Sequence, residues 1–153
     1  MGRELVDEFR KYDFQTQIDL IVEDLKGKFW HEDARVIANS FGAYLFLHAQ
    51  TQMPPYVGKV ILLSPIVGEF GNEETRMNFI PPRSGKLSQL AQEGRFPRPT
   101  QCEIHVGAED WQSNPTNVSI FGALLNIPVT VVPNAGHMLP KRYVGDLLDS
   151  WLA

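Results

Sequence analysis

Between Asp13 and Trp30 apolar side chains recur at helical spacing: Phe14, Ile18, Ile21, Leu25 and Phe29 share one face, and Asp13 stands where an N-cap belongs. The pattern then changes. Residues 34–39, Ala-Arg-Val-Ile-Ala-Asn, make a short β-prone run that leads directly into Ser40. A second helical pattern follows at once, carrying Ala43, Leu45, Phe46 and Ala49, and it stops before Pro54. Residues 59–63 are nearly continuous in apolar side chains, as expected of a strand buried on both faces of a parallel sheet. Similar runs occur at 102–106 and 129–132. Between them Asn114 and Pro115 open a helix, with proline at its first position and Val118, Phe121, Leu124 and Leu125 as its apolar stripe. A last helix is predicted from about Pro140, with Val144, Leu147, Leu148 and Trp151 on one face.

This alternation predicts the α/β class: a mostly parallel sheet of about four strands flanked by helices, in a single domain over residues 1–153. The segment from about 66 to 100 is rich in Gly, Pro and charge, with one helical pattern near 87–92. Connections of that length often form lids or binding loops, and it reads as a loop or lid insertion.

A chain of 153 residues with 43% hydrophobic side chains can bury a core without disulfides or metals. The net charge of −4 opposes a general nucleic-acid binder, which needs a basic face. The one basic cluster, Arg83, Lys86, Arg95 and Arg98, is interrupted by prolines and reads as a solvated loop. Cys102 is the single cysteine, so no internal disulfide forms; its apolar surroundings make it a strand or core residue, not a nucleophile. No run of about 18 apolar residues spans a membrane. The charged stretch from Met1 to Lys11 lacks the apolar centre of a signal peptide, so a cytoplasmic location is expected. The glycosylation pattern at Asn117-Val118-Ser119 is therefore read as ordinary surface.

Three short motifs carry chemistry. Ala38-Asn39-Ser40-Phe41-Gly42 has the form small-x-Ser-x-Gly at a strand-to-helix junction, the setting of a nucleophile elbow. Small residues two before and two after the serine are expected to keep a sharp turn open. The same turn sets the hydroxyl at a helix N-terminus, where the Phe41 N–H is a candidate oxyanion donor. Gly107-Ala108-Glu109-Asp110 follows one predicted strand, and Gly136-His137 follows the next. Asp110 and His137 are 27 positions apart, enough for one helix and one strand, so both fall at strand C-terminal ends beside Ser40. Other candidates are weaker. Glu109 is out of register, and Ser64 precedes Pro65 and reads as a turn or capping serine. His31, His48 and His105 read as loop, helix and strand residues without metal-ligand spacing. No glycine loop for a phosphate is present, which argues against a flavodoxin-like domain, and no cofactor or metal is expected.

In the motifs at Ser40, Asp110 and His137, and in their order, the chain resembles the α/β-hydrolase superfamily of serine hydrolases. The resemblance implies a Ser40–His137–Asp110 catalytic triad acting through an acyl-enzyme on a small ester or thioester. The absence of room for a large lid domain favours a small or exposed acyl substrate. The resemblance covers nearly all of this chain but only the later part of the family fold. About 33 residues precede the elbow strand and they read as helix, so the family's early strands, and the loop giving a second oxyanion donor, have no counterpart. That motivates an alternative reading as a non-catalytic or vestigial hydrolase-fold protein used for binding or assembly. It also sets the elbow strand at an open sheet edge, where a homodimer is expected, or else a cover formed by Leu5, Val6 and Phe9.

Overall fold

The computed structural model describes residues 9–72, 74 and 76–152. Asp13 caps helix α1 (Phe14–Lys28), its carboxylate accepting the Thr16 N–H at 2.7 Å. Strand β1 (Arg35–Asn39) follows, then α2 (Phe41–Gln50) and β2 (Lys59–Leu63). Beyond them lie β3 (Phe70–Asn72), β4 (Met77–Phe79), α3 (Lys86–Gln92), β5 (Gln101–Gly107), α4 (Pro115–Leu125), β6 (Val129–Val132) and α5 (Lys141–Leu152).

The main sheet runs in the order β1-β2-β5-β6, and every neighbouring pair is parallel. Helices cover both of its faces. Val60 and Leu62 of β2 and Ile104 and Val106 of β5 point into a large core with α2, α3 and α4. Ile61 and Leu63 point the other way, toward Val132, Ala135 and Leu139 and the apolar stripe of α5. This alternation on a strand buried on both faces is what the continuous apolar run of β2 requires. Gly122 sets how closely α4 lies on the sheet: a Cβ there would be 2.4 Å from the Val129 side chain.

Two expectations are corrected. Strand β6 is not buried on both faces, because it is an edge strand, and Thr130 and Val131 are exposed. Residues 66–100 are not simply irregular: besides α3 they hold an antiparallel hairpin, with Phe70 opposite Phe79 and those rings 5.1 Å apart. The basic cluster lies largely in exposed loop, as expected: Arg83, Arg95 and Arg98 are exposed outside helices and strands, and Lys86 opens α3. Arg83 lies over the Phe14 ring at 5.2 Å and bonds Gln15, and Arg98 donates to the Asn126 carbonyl at 2.8 Å beyond the end of α4. Phe9 packs beside Ile18 and Ala49 of the α1–α2 pair, while Leu5 and Val6 lie outside the described residues. Among the described residues no helix is long and apolar enough to cross a membrane.

Candidate active site

Ser40 occupies the junction between β1 and α2 with φ 55° and ψ −120°, a conformation L-residues rarely adopt. Such strain costs on the order of 1–3 kcal/mol and persists only where surroundings over-determine it. They do so here. The Ser40 N–H donates to the Leu63 carbonyl at 3.0 Å, and its own carbonyl accepts the Ala43 and Tyr44 N–H groups of the first α2 turn. Its side chain makes no capping bond to the helix, so the hydroxyl is free to point elsewhere. The N–H of Phe41, first residue of α2, belongs to the first turn and has no intrahelical acceptor.

The expected role of Gly42 in keeping the turn open does not hold. A Cβ at Gly42 would meet nothing within 4 Å, because α2 leads that face into open space. The glycine that does make room is Gly107, at the end of β5. A Cβ there would lie 2.3 Å from the carbonyl oxygens of both Ala135 and Gly136. The loop after β6 therefore crosses directly over the end of β5. The Glu109 N–H donates to the Ala135 carbonyl at 2.9 Å, tying the two loops together.

That crossing brings the three motif residues into one chain of contacts. Ser40 Oγ lies 2.7 Å from His137 Nε2. His137 Nδ1 lies 3.0 and 3.1 Å from the two oxygens of Asp110. An ionised carboxylate only accepts, so Nδ1 carries the ring proton and Nε2 accepts from the Ser40 hydroxyl. Asp110 is buried and further held by the N–H groups of Gln112 and Ser113, each 2.9 Å from Oδ1. His137 is partly exposed, and Met138 beside it is 87% exposed.

The competing residues lie elsewhere. Glu109 is exposed, and His31 is on an exposed loop. His105 is buried, bonded through Nδ1 to the Tyr143 hydroxyl at 2.6 Å. His48 is buried in α2 between the Phe14 and Tyr44 rings. Burial pushes the Cys102 thiol up to about 12, which leaves it protonated and unreactive at neutral pH. Among the described residues no group of three His, Cys, Asp or Glu side chains is placed to hold a metal.

Two serines that matter were not legible as site residues. Ser113 donates its hydroxyl to the Ser64 carbonyl at 2.6 Å, and Ser64 donates its own to the His137 carbonyl at 2.7 Å. Ser64 had a turn signal in Pro65; nothing in the sequence marks Ser113. A cavity of about 230 Å³ opens beside the acid loop between Phe70, Ile80 and Trp111, with Asn78 and Asn114 at its polar edge. Its walls include Trp111, next to Asp110, but neither Ser40 nor His137.

No family model and no curated protein matches the chain in sequence. Solved structures do match in shape. A Thermoplasma acidophilum protein described as a CIB-like hydrolase superposes with a TM-score of 0.61 at 14% identity, over 91% of this chain and 59% of its own. The Paleococcus ferrophilus monoacylglycerol lipase gives 0.59 at 15% identity, over 91% and 73%. An α/β-hydrolase enzyme from a Moroccan lagoon sediment metagenome gives 0.57 at 15%, over 92% and 70%. This chain thus spans only about three fifths of the first of these. With its parallel four-stranded sheet, helices on both faces and strand-to-helix elbow at Ser40, the chain has the α/β-hydrolase fold.

Proposed function

We propose that the protein is a serine hydrolase that cleaves a small ester or thioester through an acyl-enzyme. One observation carries this reading: Ser40 Oγ is 2.7 Å from a histidine nitrogen whose opposite nitrogen rests on the buried Asp110. In the proposed reaction His137 Nε2 takes the Ser40 proton as Oγ bonds to the substrate carbonyl carbon. The oxyanion forms beside the Phe41 N–H at the start of α2. The carbonyl re-forms as the bond to the leaving oxygen or sulfur breaks, and that atom receives the proton from His137. Water, deprotonated by the same nitrogen, then attacks the acyl carbon, and Oγ leaves with the proton. Asp110 holds the ring in the Nδ1–H form and stabilises the imidazolium. The hydrolase and lipase names of the structural neighbours agree with the reaction class.

A fluorophosphonate probe tests this. It should label Ser40, with labelling abolished in Ser40→Ala, and a p-nitrophenyl acyl ester should lose several orders of magnitude of turnover in the same variant. Absence of labelling on folded wild-type protein between about pH 7 and 9 would overturn the reading in favour of a binding or assembly role.

A further inference from the structure

We propose that Ser64 and Ser113 act as a pair of positioning residues, a buried clamp that sets the His137 ring for its reaction with Ser40. The proposal rests on the hydrolase reading for its consequence, but its geometry stands apart from it. Ser64 follows β2, Ser113 follows the acid loop and His137 follows β6, so three separate connections meet at two hydroxyls. Both serines are buried.

The hydrogen bonds run in one direction. The Ser113 N–H donates to Asp110 Oδ1 at 2.9 Å, and its hydroxyl donates to the Ser64 carbonyl at 2.6 Å. The Ser64 hydroxyl in turn donates to the His137 carbonyl at 2.7 Å, and its N–H donates to the His105 carbonyl at 2.8 Å. Ser64 is thereby anchored to β5 while it holds the backbone of the base. It adopts φ 46°, the left-handed region, so its carbonyl faces one loop and its hydroxyl another.

The clamp also bears on the tautomer. Ser113 Oγ stands 3.5 Å from His137 Nδ1. Its proton is committed to the Ser64 carbonyl, so it turns only a lone pair toward the ring. At that distance the contact is weak, yet it favours a proton on Nδ1, as Asp110 does. Removing either hydroxyl leaves a carbonyl without its donor, that of His137 or the buried one of Ser64, and frees the loop to shift.

The test uses the full chain with ¹⁵N-labelled histidine, and two variants chosen to stay folded. Ser64→Gly removes one hydroxyl at a φ that glycine adopts without strain. Ser113→Ala removes the other while changing volume little. Wild-type His137 should show a single Nδ1–H tautomer by ring nitrogen shifts. Each variant should show mixed tautomers, and its fluorophosphonate labelling should slow about ten- to a hundredfold, the scale of a misplaced catalytic group. Ring signals that stay at the wild-type shifts overturn the clamp, as does an unchanged labelling rate in a wild type that labels. If wild-type protein does not label at all, the hydrolase reading falls by itself. The ring signals still decide whether the serines hold the histidine.

Discussion

Gly107 and Gly42 are both glycines of the elbow-and-loop motifs, yet they do different work. At Gly107 a Cβ would collide with two backbone carbonyls of the loop that bears His137, and backbone cannot swing aside as a side chain can. Gly107→Ala should push that loop by about an ångström, slowing Ser40 labelling on the order of a hundredfold and costing about 1–3 kcal/mol of stability. Gly42→Ala should leave labelling intact and raise stability by up to about 1 kcal/mol, since its Cβ enters open space on a helix. Urea midpoints and labelling rates for the two variants check both statements; equal effects would mean the space argument is wrong. The sequence pattern singled out Ser40, Asp110 and His137 as candidates because each follows a strand with a small residue close by. It assigned the need for space to Gly42 because the motif alone does not show which neighbouring backbone passes overhead. Ser64 and Ser113 were out of reach for the same reason: their partners come from connections far apart in the chain.

At the level of elements, periodicity decided what was legible. Strand β2 buries alternate residues on two faces and α2 is buried along its length from Ala43 to Gln50, so each shows as an apolar run. The β3–β4 hairpin escaped because strands of three residues, partly exposed, are too short to display a period of two. The buried run of α2 includes one polar misfit. Among the described residues neither ring nitrogen of His48 has a hydrogen-bond partner, and burial, aided by the charges of Lys86 and Arg83, pushes its pKa down to about 4. An unfolded chain binds that proton near 6.5. Between those values the unfolded state holds more protons than the folded one, so stability from this group is complete above about pH 6.5 and falls as pH drops toward 4. The full loss is on the order of 3 kcal/mol. His48→Leu should therefore flatten the acid side of the stability profile and leave stability at pH 7 equal or higher, because the two unpaired buried ring nitrogens are removed. Urea denaturation at pH 7 and pH 4.5 measures this. Parallel declines in wild type and variant would show that His48 does not set the acid limit.

At the level of the whole molecule the open question is the edge of β1. Among the described residues nothing pairs with its outer side, and Ile37 is 45% exposed although it lies in register with the fully buried Ile61. Among the described residues the sheet's apolar face thus continues to the edge uncovered, with unpaired backbone groups beside it. We propose that a second copy closes it through a two-fold axis at Ile37. Antiparallel pairing about that residue sets Ile37 against its own copy and Arg35 against Asn39, so no like charges face each other. It also sets Val36 against Ala38, small enough to meet across the axis. Such an edge is self-complementary, which suits two-fold symmetry. It lies one residue from Ser40, so the partner strand would run beside the elbow. Sedimentation at micromolar concentration should give twice 17.3 kDa. The exposed Ile37 is a better probe than Val36, which packs against the core. Ile37→Lys should keep the fold and bring two ammonium groups together at the axis, raising the dimer dissociation constant at least about tenfold, with part of the effect relieved by salt. A wild type that stays monomeric at every concentration, or a dimer indifferent to Ile37→Lys, would rule out the β1 edge as the interface.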